Sequence, residues 1–253
     1  MAKVISLISG KGGVGKTTIA TNLAYFLGNL GYETILVDTN LTTPHLGLQL
    51  GFLFPPKTLH DALKSEEDIS KILYPHPLGF KFVPGSIVLE DLADTDINKL
   101  AGVISTLAEN SDFVLLDAAP GFGREATSTL TATESVLVVT TPEMPSVVDA
   151  LKSKKLAEDL GKIVLGVVVN RVKKHPMEMK KYEIEEMLEC PVIAEVPEEK
   201  NIIKSTVSKA PLVHLFPNSR FSLEIQKIVE IVTEGEYQTP RGFFYRFLGW
   251  LRR

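Results

Sequence analysis

Residues 9–18 read SGKGGVGKTT, and their types and spacing suit one task, the holding of a phosphate chain. Gly10, Gly15, Lys16 and Thr17 fit G-x-x-x-x-G-K-[ST], with Lys11, Gly12, Gly13 and Val14 inside it. Glycines let successive backbone N–H groups converge on phosphate oxygens, because no Cβ obstructs the loop. Lys16 would carry its charge to the β and γ phosphates, and the Thr17 hydroxyl can ligate Mg²⁺, with Thr18 next in the chain. The run sits between an apolar stretch, KVISLIS, and a helical pattern over residues 17 to about 30. The helix therefore adds its positive N-terminal end to the site.

Two acids stand where such a loop needs them. Asp38 closes the apolar run ETILVD, and Asp117 closes DFVLLD. A carboxylate at the end of a buried strand must serve a cation or a hydrogen-bond network, since an unpaired buried charge is costly. Either one alone would also suit a cap or a turn. Together, beside a phosphate loop, they fall at the carboxyl ends of strands, where open α/β sheets bind ligands.

The elements that position these groups follow from periodicity. Short β-branched runs, KVISLIS, ETILVD, DFVLLD, SVLVVTT, IVLGVVVN and PVIAEVP, are apolar on both faces, as strands covered on each side by helices must be. Helical patterns fall at residues 59–64, 97–109, 124–131, 146–160, 178–188, 202–208 and 219–233. Alternation of the two predicts an α/β fold with a doubly wound, mainly parallel sheet and helices on both faces. Residues 1–234 would form one such domain. The stretch EGEYQTPRG that follows mixes Gly, Pro and polar residues and reads as a linker over 235–241.

Charge and cysteine usage limit the function. The net charge is −4, but Arg241, Arg246, Arg252 and Arg253 give the last thirteen residues +4 with no acid, which leaves −8 for residues 1–240. An acidic body disfavours a broad nucleic-acid-binding face. No apolar run reaches the ~20 residues of a membrane-spanning helix, and the N-terminus reads as a first strand rather than a signal peptide. One cysteine, Cys190, allows neither an internal disulfide nor a cysteine-held cluster and fits a reducing compartment. The five histidines, His45, His60, His76, His175 and His214, have no ligand spacing.

The second lysine of the loop sets it apart. KGGVGKTT, with Lys11 before the glycine pair, resembles the deviant phosphate loop of the MinD/ParA superfamily of ATPases. ILVDTNLTTPHLGLQLG is similar to that family's switch I segment, FVLLDAAPG to its second acidic strand and switch II, and TTPEMPSVVDALK to the strand and helix beyond. VVVNRV and EVPEEK resemble its adenine pocket. Within the superfamily the whole chain, tail included, looks most like the MinD branch in its archaeal form. The resemblance implies a P-loop fold that binds ATP or ADP with Mg²⁺. It also implies a homodimer in the ATP state, in which Lys11 reaches the partner's phosphates and supplies charge in trans.

Site residues follow from the same resemblance. Thr17, Asp38 and Asp117 would serve the metal and its waters. Asn170 would read the adenine edge, with Pro197 and Glu198 on the pocket's other side, although Asn at a strand end is also ordinary turn chemistry. Glu143 and Asp149 match positions near the dimer and partner-binding surface. Asn40 departs from the family, which usually has an aspartate there to orient or activate the attacking water. An amide can hold a water but cannot accept its proton, so slow hydrolysis is expected.

If residues 242–253 are helical, Phe243, Phe244, Phe247, Leu248 and Leu251 share one face, with Trp250 on its flank and Arg246, Gly249 and Arg253 opposite. Such a helix could lie in the lipid headgroup region, its arginines, Arg252 included, meeting anionic lipids at ~1 kcal/mol each. It could also dock on the domain's core or in a partner's groove. The resemblance to the MinD membrane-targeting sequence favours the membrane and a peripheral place on the inner face of the cell membrane. Such a protein would be a cytoplasmic, ATP-driven switch that organises the division site or another polar structure, with a protein activator or cargo. Flagellar-number regulators share both loop and tail. DNA-partitioning ATPases share the loop but need a basic face, and iron-sulfur carriers need cluster cysteines.

Overall fold

The computed structural model describes residues 2–64 and 68–235. The linker from residue 236 and the amphipathic segment 242–253, with every residue assigned there to lipid, lie outside these. Eight strands are present among the described residues: β1 (Lys3–Ile8), β2 (Thr34–Thr39), β3 (Tyr74–Pro75), β4 (Lys81–Val83), β5 (Phe113–Ala118), β6 (Ser135–Thr140), β7 (Ile163–Val172) and β8 (Val192–Pro197). They form one sheet in the order β3-β4-β2-β5-β1-β6-β7-β8. All neighbours pair in parallel except the edge pair β3 and β4. This is the expected doubly wound sheet.

Among the described residues ten helices cover it: α1 (Lys16–Asn29), α2 (Leu46–Leu50), α3 (Leu59–Lys64), α4 (Leu100–Ala108), α5 (Arg124–Thr131), α6 (Met144–Asp159), α7 (Lys181–Leu188), α8 (Ile202–Ser208), α9 (Leu212–Leu215) and α10 (Arg220–Val232). On one face, Leu23 and Leu27 of α1 and Phe221, Ile225 and Ile228 of α10 pack with Leu7, Leu115 and Leu137 of the strands. On the other, α3 and α4 lie over β2 and β5, while α5, α6 and α7 lie over β6 and β7. Every residue of β2 and β5 is buried, which is why those strands read as unbroken apolar runs. Each fully buried Leu or Ile contributes about 1.5–3 kcal/mol relative to an exposed one.

Three helices begin or end away from the periodic pattern for local reasons. The segment expected from residue 97 opens with a 3-10 turn, Ile97–Lys99, before α4. α6 starts at Met144, two residues early, because Pro145 fits a first helical turn, where no N–H is needed. α7 starts late, because the Glu178 carboxylate is taken by the backbone N–H groups of Lys173 and His175 at 3.0 and 3.2 Å. At the far end, Ser219 caps α10 by accepting from the Ser222 N–H at 3.1 Å. Glu234 then pairs with Lys3 at 3.0 Å, at the start of β1. Among the described residues, no helix is long and apolar enough to cross a membrane.

Candidate functional site

β1 stands between β5 and β6; α1, which follows β1, packs on one face of the sheet, and α5 and α6, which follow β5 and β6, pack on the other, so its C-terminal end is a switch point. The glycine-rich loop forms there. Gly13 and Gly15 adopt φ of 80° and 96°, values that side chains rarely tolerate. Gly15 is also the residue before α1, and no side chain caps that helix. The first N–H groups of a fourteen-residue helix are thus left for an anion. Gly10 permits close approach of another kind: a Cβ there would lie 2.4 Å from the carbonyl oxygen of Asp149 in α6.

Lys16 is buried and donates to Ser9 Oγ at 2.8 Å, while that hydroxyl donates to the Lys11 carbonyl at 2.8 Å. Burial lowers its pKa, and the charges of Asp117 and Asp38 partly oppose the shift. A buried ammonium whose one side-chain partner is a hydroxyl is poorly compensated and suits an anionic ligand. Lys11 is exposed, and its ammonium meets no acid among the described residues.

Thr17 Oγ1 donates to Asp117 Oδ2 at 2.5 Å. The other oxygen, Oδ1, is buried and has no hydrogen-bond partner among the described residues. Desolvation raises the Asp117 pKa, against the Thr17 bond and the Lys16 charge. An orphaned carboxylate oxygen beside a threonine hydroxyl and a buried lysine fits a hydrated divalent cation.

Asp38 is fully committed to the protein. Its Oδ2 accepts from the N–H groups of His45 and Leu46 at 2.9 Å each, and Oδ1 accepts from the Asn40 N–H at 3.2 Å. It therefore closes the start of α2 while standing beside Asp117. Desolvation, then the charge of Asp117, pushes its pKa well above the usual carboxylate value. Asn40 holds its own loop: Nδ2 donates to the Thr43 carbonyl at 2.6 Å, and Oδ1 accepts from the Thr43 hydroxyl at 3.2 Å.

Asn170 lies under the phosphate loop, where its Nδ2 donates to the Val14 carbonyl at 2.8 Å. A Cβ on Gly15 would sit 2.2 Å from the same nitrogen. Pro197 ends β8, and the next residue, Glu198, pairs with Lys173 at 3.4 Å. Glu143 accepts from the Thr141 hydroxyl, and Asp149 pairs with Lys152 at 3.1 Å.

Three residues that sequence reasoning missed also hold the site. They are Ser9, which positions Lys16; Glu125, which accepts from the Leu41 N–H at 3.0 Å; and His60, whose Nε2 lies 3.1 Å from the Leu41 carbonyl.

The profile of the CobQ/CobB/MinD/ParA nucleotide binding domain family matches residues 5–212, most of the chain. The chain belongs to this family. An uncharacterized ATP-binding protein of Methanocaldococcus jannaschii is 35% identical over 229 residues, 90% of this chain and 87% of the relative. Among solved structures, the cell division ATPase MinD of Pyrococcus furiosus superposes with a TM-score of 0.88 at 33% identity, covering 92% of this chain and 99% of that one. The septum site-determining protein MinD of Pyrococcus horikoshii, complexed with Mg-ADP, does so with a TM-score of 0.87 at 31% identity, covering 92% and 96%. As a MinD/ParA family member, the chain has its glycine-rich loop and acidic strand ends at the switch point of a nucleotide-binding fold.

Proposed function

We propose that the protein is an ATP-dependent dimerising switch of the MinD type, which hydrolyses ATP to ADP and phosphate and holds a membrane surface while dimeric. The observation that carries the nucleotide half is the pairing of Thr17 with Asp117. One oxygen of that carboxylate is used and the other is orphaned, next to a buried lysine and an uncapped helix start.

The backbone of Gly10 to Thr18 would cradle the phosphates, and Lys16 would leave Ser9 to neutralise the β and γ oxygens. Thr17 would ligate Mg²⁺, with Asp117 and Asp38 holding its waters; the metal would supply charge neutralisation for the transferring phosphoryl group. Asn40 would orient water without taking its proton. Asn170 would offer its amide to the base, with Pro197 and Glu198 beyond it. Lys11, exposed and without an acidic partner among the described residues, would act across a homodimer.

Residues 235–241 would then serve as a linker and residues 242–253 as an amphipathic anchor. One short anchor binds weakly and reversibly, whereas two on a dimer gain avidity through effective concentration. ATP would thereby control residence on anionic lipid, and the likeness to MinD supports a role in placing the division site or another polar structure, with a protein activator or cargo. The test is cosedimentation with anionic liposomes in ADP and in ATP, using the whole chain and one ending at Thr239. Pelleting in ATP that is lost on truncation is the expected result; equal pelleting in both nucleotides contradicts the coupling.

A further inference from the structure

Glu125 lies in the first turn of α5, but its side chain serves a different segment. Its Oε2 accepts from the backbone N–H groups of Leu41 at 3.0 Å and Thr42 at 3.3 Å, and its Oε1 accepts from the Thr42 hydroxyl. One carboxylate thus takes three donors from two adjacent residues of the segment similar to switch I. Hydrogen bonds to an ionised acceptor are roughly twice as strong as neutral ones. On its other side Leu41 is held by His60 Nε2, and Nδ1 of that ring accepts from the Ser86 N–H at 3.1 Å. Leu41 is therefore clamped between α5 and α3.

The same helix start is tied to the phosphate loop. The Gly121 N–H donates to the Ser9 carbonyl at 2.9 Å, in a turn where Gly121 has φ of 85°. A continuous path runs from Ser9 through Gly121 and Glu125 to Leu41, and so to Asp38 and Asn40.

We propose that Glu125 is a positioning residue for ATP hydrolysis, latching switch I to α5 so that movement of residues 119–123 on phosphate binding is passed to Asn40 and Asp38. It acts through Leu41 and Thr42, and it rests on the ATPase reading above. Because Thr42 is exposed, water can replace the two bonds that it gives, so the chain folds without Glu125 while the segment loosens.

The test compares Glu125→Ala, Glu125→Gln, Thr42→Val and the Glu125→Ala/Thr42→Val pair. It uses three measurements: ATP turnover, ADP affinity, and amide hydrogen exchange at Leu41 and Thr42. Glu125→Ala is expected to slow turnover by roughly tenfold or more, to leave ADP affinity within about twofold, and to speed exchange at Leu41 and Thr42 but not at Ile19. Glu125→Gln, which keeps an acceptor, recovers part of the rate, and the double variant is no slower than Glu125→Ala alone. Unchanged exchange at Leu41 and Thr42, or turnover and affinity falling together, overturns the latch. A natural protein that does not hydrolyse ATP at all would instead overturn the ATPase reading, and the exchange data would still decide whether Glu125 holds the segment.

Discussion

Asp38 and Asp117 are partners on one rung of the parallel β2 and β5 pair, both buried, yet they use their oxygens differently. Asp38 gives both to backbone N–H groups of the following loop. Asp117 gives one to Thr17 and leaves the other orphaned. Burial raises the pKa of both, and the charge of Asp117 raises that of Asp38 further, which creates a demand for a cation. Asp38 therefore shapes the loop, and Asp117 keeps the unused oxygen that the proposed function gives to the waters of the cation.

Asp117→Asn keeps the acceptor for Thr17 and removes the charge. Its affinity for ADP in Mg²⁺ is expected to fall by about tenfold or more, with little change in EDTA. Calorimetric titration with and without the metal checks this; equal losses in both conditions would separate Asp117 from magnesium.

Asn40→Asp restores a group that can accept a proton. Turnover is expected to rise, because the amide can hold a water but not deprotonate it. The same change loses the bond from Nδ2 to the Thr43 carbonyl, at a cost of about 1 kcal/mol. Steady-state hydrolysis and thermal unfolding measure the two effects. A variant no faster than the natural protein would remove the proposed role of Asn40.

His60 should make stability sensitive to mild acid. Its Nδ1 accepts from Ser86, so Nε2 carries the proton given to Leu41, and the ring must be neutral. Burial lowers its pKa below the usual value near 6.5, although Asp91 and Asp61 nearby oppose this and Lys64 reinforces it. The unfolded chain therefore takes a proton that the folded one refuses, so this contribution is complete above about pH 6.5 and declines as pH falls toward the lowered folded value. His60→Gln can both donate and accept but cannot titrate. Denaturant unfolding at pH 7.5 and 5.5 should show a smaller loss for the variant; equal losses would refute the assignment.

What was legible in the sequence depended on distance along the chain. The loop at Gly10 to Thr18 is local, and the acids at Asp38 and Asp117 were marked by the apolar runs they end. Helices α3, α5 and α8 fall on their periodic bounds. β3 and β4 escaped notice because Pro75, Pro77 and Gly79 make their segment read as loop, and the edge of a sheet tolerates what its centre does not. Glu125 had no signal at all, since its partners are 84 and 83 residues away and are mostly backbone. At the start of α5 an acid is sufficiently explained by the helix dipole. Asn170 also bonds the Val14 carbonyl, a contact that only the folded loop creates and that a strand-end asparagine does not announce.

The dependence of the proposed membrane switch on a second copy of the chain can be measured directly. Sedimentation velocity of the natural protein and of Lys11→Ala, each saturated with Mg²⁺ and a non-hydrolysable ATP analogue and each repeated in ADP, asks whether the γ-phosphate joins two chains. The natural protein is predicted to be dimeric with the analogue and monomeric in ADP, and Lys11→Ala to stay monomeric in both. A natural protein that remains monomeric with the analogue would contradict the dimerising switch.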